Sequence, residues 1–240
     1  MTTRLVNFCF DANDTLRLAT FWASALGWEI PDESSEVIDV LPTDGTCFLL
    51  AFLPVPEPKT AKNPIHLDLV SESVEHQRAI VERLIELGAK HVDIGQGSDA
   101  DHVVLADPED NEFCIVVRGE FLADTDFIGA VVFEPANPPT GHFWGAAIGW
   151  PVVYDQDGDV AIRDPDGRGP FITFGPPGVA KSGKNRLHLD LAPQAADDQA
   201  TEVERLIALG ASRTDIGQGD VPWEVLADPD GNEFCVLTPR

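Results

Sequence analysis

Two short runs carry the side chains best suited to chemistry. His66 and Asp68 alternate with leucines in HLDL, and the same four letters return at His188 and Asp190. Further on, Glu112 and Glu233 each open an EFC run behind a DPxxN turn. An imidazole and a carboxylate on neighbouring strands make half of a divalent-metal site, since zinc, iron, nickel and manganese accept both donors. The same pair can instead move a proton, with Glu112 or Glu233 as general base and the histidine orienting it. It can also line a pocket as a plain hydrogen-bonded pair. Catalytic metal sites typically take three protein ligands, so His66 with Glu112, or His188 with Glu233, is incomplete. Asp68 and Asp190 are candidate third ligands. Two residues along a strand span ~6–7 Å, however, which is far for sharing one ion.

The elements that must position these groups read clearly. Successive strand residues point to opposite faces, so His66 and Asp68 share one face and Leu67 and Leu69 the other. By the same rule Glu112 and Cys114 lie opposite Phe113 and Ile115. The apolar faces should meet helix stripes such as Ile80, Val81, Leu84 and Ile85, leaving the histidines and acids on the free side. A turn at DPEDN joins the last two strands, with Asn111 expected to take a positive φ. The order is β-α-β-β-β, and a looser version precedes it, with a helix capped by Asn13 or Asp14 and stopped at Gly27.

The whole pattern is then written again. FWASALGW (21–28) returns as FWGAAIGW (143–150), RLIELGA (83–89) as RLIALGA (205–211), and DIGQG recurs at Asp93 and Asp215. The period is the size of a domain rather than a solenoid repeat. The expectation is an α+β protein of two tandem domains, 1–120 and 127–240, joined through about 119–126. Each domain holds two β-α-β-β-β units in a curled mixed sheet with flanking helices. Pro-rich segments carrying Lys59, Lys62, Lys181 and Lys184 join the units.

Composition bounds the function. A net charge of −25 disfavours nucleic acid and anionic membrane, both of which select clustered Lys and Arg. No run approaches ~20 apolar residues, and the start lacks a signal-peptide layout, so a cytoplasmic protein is expected. The 4 cysteines show no zinc spacing and read as small buried hydrophobes. Dinucleotide, P-loop and serine-hydrolase motifs are missing.

Paired β-α-β-β-β units, the FW…LGW helix exit, a strand opening with His and the DPxxNEF turn resemble the vicinal-oxygen-chelate superfamily of glyoxalases, bleomycin-resistance proteins and extradiol dioxygenases. The nearest likeness is to its small glyoxalase-like domains. The resemblance implies that two units curl into a cup, with a ligand or metal held by the first and last strands of both. It puts Asn7 in the place of His66 in the first domain and Ala130 in that place in the second. The last strands of the first units, in TCFLLAF and GPFITF, bring no acid or imidazole. The implied metal set, His66 and Glu112 with His188 and Glu233, is thus incomplete in each domain. Only a cup shared by units two and four would unite all four ligands, and the tight repeat argues against that. His102 and Trp223 occupy matching positions beside the two cups, where an aromatic ring can stack a flat or cationic ligand. With Asn7 against Ala130, they imply two pockets of unequal affinity.

Two functions follow. One is capture of a small molecule without chemistry or cofactor, through His66, Asp68, His102, His188, Asp190, Trp223 and Asn7. The other is a lyase, isomerase or dioxygenase using a divalent ion (Zn, Fe, Ni or Mn), with Glu112 or Glu233 moving a proton. The expected partner is a small molecule, with no nucleic acid or membrane, in a monomer or homodimer.

Overall fold

The computed structural model describes residues 3–97, 100–134, 137–175, 181 and 183–240. Local chemistry sets the helix ends. α1 (Thr15–Leu26) begins at Asp14, whose carboxylate accepts the Arg17 N–H at 3.0 Å, and ends at Gly27 with φ 73°. That left-handed turn suits glycine, which has no Cβ to clash. α2 (Val74–Glu86) is capped by Ser73, α3 (Pro138–Ile148) starts with proline behind Asn137, and α4 (Gln199–Leu209) is capped by Asp198. On α2 the stripe of Ile80, Val81 and Leu84 is buried, while Ile85 lies outside it, 39% exposed.

Four units follow one another. Unit one is β1 (Arg4–Ala12), α1, β2 (Ile38–Val40) and β3 (Leu49–Pro54), with only an isolated Glu29–Leu41 bridge where a further strand would stand. Unit two is β4 (Ile65–Ser71), α2, β5 (Lys90–His91), β6 (Val103–Ala106) and β7 (Glu112–Val117). Unit three is β8 (Ile128–Phe133), α3, β9 (Val152–Gln156), β10 (Asp159–Ile162) and β11 (Phe171–Phe174). Unit four is β12 (Leu187–Ala192), α4, β13 (Ser212–Arg213), β14 (Glu224–Ala227) and β15 (Glu233–Val236).

The protein is α+β, with two curled mixed sheets, each built of two units and flanked by helices. The expectation that the two units of each copy share a sheet is corrected by the strand order: each sheet takes one unit from each copy. The seven-stranded sheet runs β13-β14-β15-β12-β1-β3-β2, and the eight-stranded sheet runs β5-β6-β7-β4-β8-β11-β10-β9. Unit one therefore pairs with unit four through antiparallel β1 and β12, and unit two with unit three through β4 and β8.

Each copy is held together on its helix side instead. Trp22 on α1 packs between Phe10 of one sheet and Phe113 of the other, with ring centroids 5.3 and 5.1 Å away. Trp144 repeats this between Phe133 and Phe234 at 5.6 and 5.1 Å. The guanidinium of Arg83 on α2 donates to the Ser24 and Ala25 carbonyls at the end of α1, and Arg205 does the same to Ala146 and Ala147. A cation at a helix C-terminus satisfies carbonyls that have no partner inside the helix.

The DPxxN turn serves the same junction. Asp107 accepts from Trp22 Nε1 at 3.1 Å, from the Glu109 N–H at 2.9 Å and from the Asn111 N–H at 3.0 Å. Asp228 holds Trp144, Asp230 and Asn232 in the same way. Positive φ falls on Asp110 (69°) and Gly231 (85°), not on the asparagines, whose side chains turn back onto the aspartate.

Candidate functional site

Strand register lines up the helix-free face of the seven-stranded sheet in two cross-strand rows. One row runs Asp39, Ala51, Cys9, His188 across β2, β3, β1 and β12. The next runs Leu49, Asn7, Asp190, Cys235 across β3, β1, β12 and β15. Leu187, Leu189, Phe8 and Phe234 point the other way, into the main core. Although no helix covers this face, Cys9 is fully buried and His188 and Asp190 are 8% and 7% exposed.

Polar contacts tie the rows together. Asn7 Nδ2 donates to Asp190 Oδ2 at 2.8 Å, and His188 Nε2 lies 3.5 Å from Asp190 Oδ1. Donor atoms of Cys9, His188 and Asp190 all fall within 4.8 Å of one another. Burial opposes charge on His188, but the flanking Cys9 and Cys235 and the hydrogen bond to Asp190 hold its pKa well above the usual imidazole value. Asp190 is lowered in turn: burial opposes this, and His188 outweighs it. Burial pushes the Cys9 and Cys235 thiols up, so both are protonated. Asp190 Oδ1 is buried with no hydrogen-bond partner among the described residues.

The eight-stranded sheet repeats half of this. His66 Nε2 lies 3.4 Å from Asp68 Oδ1, and Cys114 joins them within 4.8 Å. The reach along the strand is thus shorter than backbone spacing suggests, because the imidazole leans toward its neighbour. The unit-three half is apolar apart from Thr173, which stands between Ala161 and Val132. Val132 stands across from His66 and Ala130 across from Asp68. In the row positions of Asp39 and Leu49 come Ala161 and Phe171. The copy-joining segment fills the space above them. Leu122 packs on Ala130, Ala161, Phe171 and Val132, and Phe121 stacks on Phe171 at 4.3 Å. Arg118 holds the segment through the Leu122 and Thr125 carbonyls, and Arg163 donates to the Asp124 carbonyl at 2.6 Å.

Register also corrects the expected partners across each cup. Asn7 faces Asp190 rather than joining His66, and Ala130 faces Asp68 rather than joining His188. Units two and four do not share a sheet, so His66, Glu112, His188 and Glu233 are not gathered into one set.

Both glutamates are engaged elsewhere. Glu112 takes Lys59 Nζ on one oxygen at 2.6 Å and the Asn63 N–H on the other at 3.2 Å. Glu233 takes Lys181 Nζ at 2.6 Å and the Asn185 N–H at 3.1 Å. Among the described residues, no hydrogen bond or ion pair joins either to a histidine. They latch the Pro-rich crossing segments to the ends of β7 and β15. The acid in each donor cluster is the aspartate of HLDL, with a cysteine beside it. Cys9, Cys114 and Cys235 were readable from alternation, as Cys114 shares the face of Glu112, but a lone thiol in an apolar run looks like packing. Asp39 gave no motif at all.

The two flanking positions lie apart from the His–Asp pairs. His102 stands 3.4 Å from Asp101 and lines an open cleft of about 890 Å³ with His91, Asp93 and Gln96 at the sheet edge. Trp223 is 37% exposed, one residue before β14.

A family model described as glyoxalase-like domain matches residues 7–116 and 130–237. Glyoxalase I from Zea mays superposes with a TM-score of 0.63 at 13% identity, covering 99% of this chain and 92% of its own. A candidate dioxygenase from Bacillus subtilis subsp. subtilis str. 168 superposes with a TM-score of 0.64 at 14% identity, covering 99% and 85%. Similarity at that identity establishes a shared fold. No curated protein matches the chain by sequence. No helix is long and apolar enough to cross a membrane.

Proposed function

From the premise that the chain belongs to the glyoxalase-like domain family, we propose that it captures one small molecule in the cup of the seven-stranded sheet, without metal. One contrast carries this reading. Both faces carry a His–Asp pair, but Asn7 and Asp39 stand opposite His188 and Asp190, whereas Ala130, Val132 and Ala161 take the matching places beside His66 and Asp68, with Leu122 and Phe121 packed over that side. Here Asn7 fixes Asp190, and Asp190 Oδ1 is a buried acceptor whose nearest donor, His188 Nε2, lies at 3.5 Å, beyond a good hydrogen bond. Hydrogen bonds made away from water discriminate strongly among ligands, since a mismatched ligand strands a buried group.

A second reading rests on the cluster of Cys9, His188 and Asp190. Their donors suit a borderline-soft divalent ion, and the unpartnered Asp190 Oδ1 is the kind of atom an ion would satisfy. An ion held there would supply a Lewis acid for a carbonyl or hydroxyl. It would have to displace protons from Cys9 and His188, so uptake would strengthen with rising pH.

Metal content of purified protein, with His188→Ala and His66→Ala beside it, separates the two. Capture predicts no stoichiometric ion, and a small-molecule hit from ligand-observed NMR that is lost on His188→Ala. One ion per chain that disappears with His188→Ala supports the chelate reading instead.

A further inference from the structure

We infer that the ligand of the seven-stranded cup carries a cationic nitrogen, an ammonium or amidinium, seated against Asp39 and Asp190. This rests on the placement of the site proposed above and adds the ligand's charge.

Lys181 is bound to Glu233, Lys184 to Asp11 and Arg186 to Glu109, so the basic side chains at the rim are already neutralised. His188 is matched by Asp190. Asp39 remains. It lies on the same face, because Ile38 and Val40 on either side of it enter the main core. Among the described residues it has neither a hydrogen bond nor an ion-pair partner. Its pKa is raised, first by partial burial and then by the Asp190 carboxylate, the two acids sharing this face. Between them across the row stand Ala51 and Cys9, both small.

The cup thus presents two acceptors, Asp39 and the buried Asp190 Oδ1; the Arg4 guanidinium, at the far end of β1, is held by the Arg240 carbonyl, so Asp39 has no counter-ion beside it among the described residues. A group with several N–H donors and a positive charge answers both. An anionic ligand would meet repulsion, and a neutral one would leave Asp39 unmatched. In the other cup Ala161 takes the position of Asp39, so the acid is peculiar to the seven-stranded sheet.

The test uses three probes of one shape and different charge, benzylamine, benzyl alcohol and benzoate, on the chelator-treated full chain. Benzylamine should bind at least tenfold tighter than the other two. Asp39→Asn should weaken it roughly tenfold, the range of a charge-assisted hydrogen bond. Asp157→Asn makes the same change of net charge in the β9–β10 turn and should leave benzylamine binding unaltered. Equal binding of all three probes, tightest binding of benzoate, or indifference of benzylamine to Asp39→Asn overturns the inference. If benzyl alcohol or benzoate binds and is lost on His188→Ala, the cup reading survives and only the charge is wrong. If no probe of any charge binds, both fail.

Discussion

Removing one partner of a buried ion pair strands the other, and Glu112 and Glu233 each hold a lysine in that way. Glu112→Gln should cost about 3 kcal/mol in urea unfolding, because Lys59 is left charged and enclosed. Unchanged stability would mean that the pair is not formed in solution. The aspartates of the DPxxN turns make a second residue-scale case. Asp107→Ala loses bonds from Trp22, Glu109 and Asn111 and should cost about 2–4 kcal/mol, with a shift in tryptophan emission. Burial, opposed by those hydrogen bonds, pushes the Asp107 carboxyl up from 3.8 to about 6. The native state therefore holds a proton across that window that the unfolded chain has released. The resulting stabilisation is complete below 3.8 and lost as pH rises through about 6. The stability advantage of wild type over Asp107→Asn should shrink across that interval, and a flat difference would contradict the assignment. At this scale the histidines, the aspartates of HLDL and the inward face were legible from period-two alternation. The role of the glutamates was not, since nothing in EFC signals a lysine arriving from a loop more than fifty residues earlier in the chain.

Elements carry the asymmetry between the cups. The segment holding Phe121 and Leu122 reads in sequence as a plain connection, yet it lies on the inner face of the eight-stranded sheet. Its two apolar residues gave no periodicity to interpret, and their partners Phe171 and Ala130 are distant along the chain. Replacing Phe121 and Leu122 together by serine should uncover an apolar hollow. Binding of 1-anilinonaphthalene-8-sulfonate, absent in wild type, should then appear with helix content retained. A variant that binds no dye and keeps wild-type stability would show that the segment does not fill the cup. Helices, by contrast, were well marked by their caps and glycine stops, because those signals act within a single turn.

For the whole molecule, the repeat revealed four units but suggested the wrong pairing, within each copy rather than between copies. Pairing depends on which strand edges meet, here β1 with β12 and β4 with β8, and identical HLDL strands leave that open in sequence. Because every sheet draws on both copies, residues 1–126 made alone would expose the edges of β1 and β4. They should self-associate, or combine with residues 127–240, rather than sediment as a folded monomer; a stable monomeric half would contradict the pairing. The claim that one cup alone is used is tested most directly by titrating chelator-treated protein with the tightest small-molecule binder found, in wild type, Asp190→Asn and Asp68→Asn. The account predicts one equivalent in wild type, lost with Asp190→Asn and kept with Asp68→Asn. Two equivalents in wild type, or loss with Asp68→Asn, would contradict it.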